Sequence, residues 1–194
     1  MKKMGLAIVV VLFVLASCSK AKAEMIWSDG FESGDFSAWT SSGGNWTTSG
    51  GNTYSGSKRA QVVGPYALDG DVLLLSLSLA RHQDVVINCE YRIYAGLENN
   101  DYVFVEWTPN GTDWLELTTY NNVVTSVDWQ EASFLLPSGA NDNPLFQLRI
   151  RSLLNNTTDC IYFDDFAISG DPIPEPATLV FLSCLIPLVV RRKH

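Results

Sequence analysis

Nucleophilic and acid–base chemistry is poorly provided for in the middle of this sequence. Residues 24–170 contain one histidine, His82, which follows Arg81 in a stretch that reads as a turn. A Ser-His-Asp set would depend on it, and no Gly-x-Ser-x-Gly elbow is present. Glycoside hydrolysis needs two carboxylates at a set separation. No Glu-x-Asp-x-x-Glu strand pattern supplies them, and the adjacent Asp164 and Asp165 should point to opposite faces of a strand. No catalytic residue is therefore expected. The cysteines have no Cys-x-x-Cys spacing for zinc. Cys89 falls in mid-strand and Cys160 at the start of the last strand. In an oxidising compartment such a pair is expected to form a disulfide, the alternative being two buried thiols.

The aromatic residues offer different chemistry, because flat rings stack on sugar faces. Trp39, Trp46, Tyr54, Trp107, Trp114 and Trp129 are numerous for this length. Strand tryptophans such as Trp107 and Trp129 are expected to fill a core. Trp46 and Tyr54 lie in a polar Gly/Ser/Thr stretch, residues 40–57, and are the better carbohydrate-binding candidates. The Asn110-Gly111-Thr112-Asp113-Trp114 segment reads as a hairpin turn.

The elements that must position these groups are strands. Period-two alternation recurs in short blocks: Val85, Ile87, Cys89, Tyr91 and Ile93 share one face, and Val86, Asn88, Glu90 and Arg92 the other. Further strands are expected over 72–79, 102–107, 114–118, 131–136, 145–151 and 160–168, punctuated by Asn-, Gly- and Pro-rich turns. The pattern predicts an all-β domain over residues 24–170, a jelly-roll-type β-sandwich of about eight or nine strands. That span holds 6 Lys/Arg against 19 Asp/Glu, a balance of −13 within a chain of net charge −8. A polyanion would be repelled, which excludes nucleic acid as a partner.

The ends differ from the middle. Met1-Lys2-Lys3 and the apolar run 5–16 read as a signal peptide over residues 1–23, a flanking helix in the fold. Two processing sites compete. Ala21-Lys22-Ala23 suits signal peptidase, and Leu15-Ala16-Ser17-Cys18 looks like a lipobox in which Cys18 would be lipidated. An uncleaved transmembrane anchor is the third reading. At the other end Pro174-Glu175-Pro176 precedes a hydrophobic segment, 177–190, and then Arg191-Arg192-Lys193-His194. The basic cluster would stay on the cytoplasmic side of the inner membrane. This three-part arrangement over residues 171–194 resembles the PEP-CTERM sorting signal of Gram-negative bacteria. The resemblance implies an exosortase as partner, processing near the triplet, and a cell-surface or matrix destination associated with exopolysaccharide and biofilm.

A second resemblance covers the domain. The Asp29-Gly30-Phe31-Glu32 to Trp39 segment looks like the first strand of MAM-like and carbohydrate-binding jelly rolls. Residues 103–117 resemble their central hairpin, and Arg149-Ile150-Arg151 with Ile161 to Ile168 their last two strands. The resemblance implies a structural calcium between the first and last strands, held by Glu32 and Asp165 with carbonyls from about 54–58, and with Asp29 and Asp164 in reserve. A non-enzymatic surface, matrix or adhesion component is the leading expectation. A carbohydrate-binding module is the alternative, and a glycan-active enzyme the third reading.

Overall fold

The computed structural model describes residues 22–66, 70–123, 125–126 and 128–174. Most of the expected signal peptide, including Cys18, lies outside the described residues. So do Glu175, Pro176, the hydrophobic segment 177–190 and Arg191, Arg192 and Lys193. Pro174 is described and exposed. No helix among the described residues is long and apolar enough to cross a membrane.

Among the described residues eleven strands follow one another: β1 (Glu24–Asp29), β2 (Thr40–Ser42), β3 (Trp46–Ser49), β4 (Arg59–Val63), β5 (Asp71–Leu77), β6 (His82–Ala95), β7 (Tyr102–Thr108), β8 (Leu115–Tyr120), β9 (Gln130–Leu135), β10 (Phe146–Leu153) and β11 (Cys160–Pro172). One sheet has the order β3-β4-β11-β6-β9, with β1 also on β11; the other runs β2-β5-β10-β7-β8. All pairings between these strands are antiparallel. The result is an all-β sandwich of two antiparallel sheets, as the alternation predicts.

The strands form because alternate side chains have an apolar layer to enter. In β10 every second residue is buried: Phe146, Leu148, Ile150 and Ser152 point inward, while Gln147, Arg149 and Arg151 lie on the outer face. Opposite them β6 contributes Ile87 and Ile93, and β11 contributes Ile161, Phe163 and Ile168, all essentially without solvent contact. Phe163 packs edgewise on Tyr120 and tilted on Phe166, closing the gap between the sheets.

Three expectations need correction. The 40–57 stretch is not one loop: it carries β2 and β3, short edge strands whose side chains need little apolar character because one side faces water. Trp46 starts β3, is 6 % exposed and packs on Phe163 at 6.2 Å, so it belongs to the core. The first-strand resemblance over Asp29 to Trp39 also misplaces the strand, which ends at Asp29. The chain then turns, with the Asp29 carboxylate accepting from the Phe31 N–H at 2.8 Å and the Trp39 indole N–H at 2.9 Å.

Cys89 and Cys160 are both buried and both free. They lie on neighbouring strands, β6 and β11, but Cys160 sits opposite Ala95, six residues along from Cys89. At about 3.3 Å per residue the two Cα atoms are roughly 20 Å apart, far beyond the reach of a disulfide. The sequence places each cysteine on a strand and holds nothing that reads the register between the two strands.

Candidate functional site

The outer face of the β3-β4-β11-β6-β9 sheet carries the most chemistry. Its placement follows from register. Tyr162 of β11 lies opposite Gln61 of β4 and Arg92 of β6, while its neighbours Ile161 and Phe163 enter the core. Two residues on, Asp164 is opposite Glu90 of β6, which is in turn opposite Glu131 of β9. One row of this face is therefore polar and aromatic and the next is acidic.

The loop before β4 folds over the edge of this face and is held there by three carboxylates. Glu32 accepts from the Ser57 N–H at 2.9 and 3.0 Å, the Ser57 hydroxyl at 2.9 Å and the Lys58 N–H at 2.8 Å. Asp164 accepts from the Tyr54 N–H at 2.9 Å and the Ser55 N–H at 3.4 Å, and Asp165 accepts from the Ser55 hydroxyl at 2.9 Å. These amide and hydroxyl donors hold the Glu32 carboxyl below the ordinary carboxylate range. Gly56, at φ +55°, closes on the Glu32 carboxylate where a Cβ has no room. The expectation that Asp164 and Asp165 diverge fails for a local reason. Asp165 has φ +46° at a bulge between Asp164 and Ala167, which turns both carboxylates toward the same loop. Asp164 is fully buried, and burial above all pushes its carboxyl up to about 6.

The clamped loop presents Tyr54, which is 51 % exposed. Its ring meets Trp129 edgewise at 6.0 Å; Trp129 meets Tyr162 at 6.4 Å, and Tyr162 stacks on Tyr94 at 5.0 Å. Tyr94 is 47 % exposed at the far end of the row, and Tyr162 is buried beneath it. Arg59 backs Tyr162 with its guanidinium 3.7 Å from the ring centre. The same guanidinium donates to the carbonyls of Ser49, Gly50 and Gly51 and to Gln61 at 3.0 Å. Arg59 is thus spent on positioning. Glu90 lies beside Tyr54, and its charge raises the phenol above its usual range. The Glu90 carboxyl is itself raised, by burial first and by Glu131 second. Of the two sequence candidates for sugar binding, Tyr54 is in this row and Trp46 is not. Trp129, Tyr162 and Tyr94 were missed, because Trp129 read as core. Its position after a turn, two residues before the strand residue Glu131, was the available signal.

Of the residues expected to hold calcium, Glu32, Asp164 and Asp165 reach the same loop, where Glu32 and Asp164 receive amide hydrogens, while Asp29 is occupied with Phe31 and Trp39. Among the described residues the carboxylates that converge within 4.8 Å of one another are Glu98, Asp101 and Asp159. These too are used internally: Asp101 accepts from the Asn155 N–H at 2.9 Å and the Glu98 N–H at 2.9 Å, and Asp159 from the Asn156 N–H at 2.8 Å. His82, the one histidine of residues 24–170, bonds Glu24 at 2.9 Å at the start of β6 and tethers the N-terminal strand.

The outer face of the other sheet also carries rings, but guanidinium groups cover them. Arg149 lies 3.9 Å from the Trp114 ring centre and Arg151 4.3 Å from that of Phe104. Both arginines bond Glu106, at 2.7 and 3.2 Å. The balance is internally complete, and the two arginines hold the Glu106 carboxyl below its usual range against the cost of its burial.

No protein-family model matches the chain, and no curated protein matches it in sequence. Solved structures do share its fold. The K3 cleaved adhesin domain of Lys-gingipain from Porphyromonas gingivalis W83 superposes with a TM-score of 0.57 at 16 % identity, covering 76 % of this chain and 99 % of that one. TmCBM61, solved in complex with β-1,4-galactotriose, gives 0.56 at 14 % identity over 73 % of this chain and 94 % of its own. The CBM22-1 xylan-binding domain of Paenibacillus barcinonensis Xyn10C gives 0.55 at 21 % identity, over 81 % of this chain and all of the other. At these identities the likeness establishes the β-sandwich fold.

Proposed function

We propose that this chain is a non-catalytic carbohydrate-binding protein whose ligand lies across the outer face of the β3-β4-β11-β6-β9 sheet. One observation carries the reading: Tyr54, Trp129, Tyr162 and Tyr94 form an unbroken row of ring contacts on one sheet face, exposed at both ends. Ring faces bind sugar C–H surfaces, and the side chains around them, Gln61, Arg92, Glu90 and Glu131, supply donors and acceptors for hydroxyls. The neighbours of like fold support it, since two of them are a galactotriose-bound module and a xylan-binding domain. The adhesin neighbour is compatible with a matrix or adhesion role, which a polysaccharide-binding surface would serve.

The test is affinity electrophoresis and calorimetry against xylan, β-1,4-galactan and soluble exopolysaccharide. Trp129→Ala is expected to weaken binding at least about fivefold, on the scale of about 1–3 kcal/mol for one lost stacking partner, with the melting temperature little changed. Trp114→Ala, on the opposite face, should leave binding intact. Equal binding by wild type and Trp129→Ala overturns the platform.

Two further parts of the proposal rest on sequence. The chain is exported, with Cys18 or Ala23 as processing position, and its tail is read by an exosortase and leaves it at the cell surface or in the matrix. A calcium ion is held by Glu32 and Asp165, with Asp164 and Asp29 nearby. The oxygen-rich set suits that cation, and binding it would require carbonyls of the 54–58 loop to replace the amides that now face Glu32 and Asp164.

A further inference from the structure

The platform has one feature that a neutral sugar does not explain. Glu90 and Glu131 are direct partners on adjacent antiparallel strands. Their side chains leave the same face, with Cβ atoms about 4.5–5.5 Å apart, an arrangement in which like charges repel. Neither is ion-paired with a lysine or arginine among the described residues. Elsewhere the same molecule handles such a strand glutamate differently: Glu106, at mid-strand in the other sheet, is met by two arginines. Asp165 adds to the negative field at Glu90. The acidic pair is also flanked by the two ring contacts at one end of the row, because Tyr54 lies beside Glu90 and Trp129 is two residues from Glu131.

We infer that this end of the platform takes a glycan bearing free amino groups, a partly or wholly de-N-acetylated hexosamine polymer, with an ammonium group lodged between Glu90 and Glu131. The inference rests on the platform reading above and narrows it to a ligand class. An ammonium between the two carboxylates relieves their repulsion and forms charge-assisted hydrogen bonds to both. Tyr54 and Trp129 then meet the adjoining sugar face and add a cation–π contribution. The balance of −13 over residues 24–170 acts in the same sense at longer range, drawing in a polycation and turning away a uronate-rich polymer. A neutral glycan leaves the acidic pair unrelieved.

Calorimetry on the full chain in detergent, with the hexamers of glucosamine, N-acetylglucosamine and xylose, tests this. The glucosamine hexamer is expected to bind at least about tenfold more tightly than its N-acetylated counterpart. Raising salt from about 0.05 to about 0.5 M should erase most of that gap, since an exposed ion pair is screened. In E90Q/E131Q the gap should shrink to within about twofold. Re-acetylating the same glucosamine hexamer should remove the advantage on the unaltered protein, a control independent of how the variant folds. Equal binding of the two hexosamine hexamers, or a preference that survives in a folded E90Q/E131Q, overturns the inference while leaving the platform standing. Binding of none of the three hexamers overturns both.

Discussion

Asp164 shows how much one residue can be asked to do. Its carboxyl is buried beside the face, holds the Tyr54 amide, and is pushed up to about 6 from an ordinary 3.8, chiefly by burial. A carboxyl raised in the folded state binds its proton more tightly there than in the unfolded chain. It therefore contributes stability that is present below about pH 4 and lost as pH rises through about 6. Thermal melts between pH 4 and pH 6.5 should show this slope, and Asp164→Asn should flatten it. A variant whose slope matches wild type assigns the titration elsewhere.

At the scale of elements, the β11 bulge and the loop before β4 act together. The bulge at Asp165 rotates a second carboxylate toward the loop, Glu32 reaches it from the turn after β1, and Gly56 gives Glu32 the space to approach. Glu32→Ala removes the acceptor shared by the Ser57 and Lys58 amides and should free the loop without dismantling the sheets. The expected outcome is faster limited proteolysis at residues 51–57 and weaker glycan binding through a displaced Tyr54, with far-ultraviolet circular dichroism unchanged. Gly56→Ala should do the same by forcing the clamp apart.

Across the whole molecule, stability comes from the layer between the sheets. Ile150 is fully buried at the centre of β10, and Ile150→Ala should cost about 2–5 kcal/mol in denaturant unfolding. Cys89 lies in that layer as a thiol, and Cys160 is a buried thiol beside Tyr162 at the start of β11. Burial pushes Cys89 up to about 12 and Cys160 up to about 11, so thiolate is scarce at neutral pH. Reductant should leave the melting temperature unchanged, and a thiol reagent should modify both residues only once the protein is unfolded. A reductant-sensitive melt would show that the two are bonded after all.

The alternation of Val85 to Ile93 was enough by itself to determine an all-β domain and which residues of that strand face the core, because a strand's side-chain period does not depend on its partner. Glu32, Asp164 and Asp165 were legible as neighbours for a different reason, the resemblance of the segments that carry them. The chemistry of their meeting was not, since the bulge that turns Asp165 exists only where β11 lies against β6. Tyr54 could be read from the polarity of its surroundings, whereas Trp46 and Trp129 exchanged roles. A tryptophan beside glycines and threonines is buried when the short strand it opens pairs with β4, and one that looks like core is outside when the chain reaches it from a turn at the sheet edge. Strand partnership decided the rest: Glu90 lies opposite Glu131, and Cys89 lies six residues from the position facing Cys160. Register is a relation between distant segments, set by how two sheets share one core, and no local pattern in either segment encodes it.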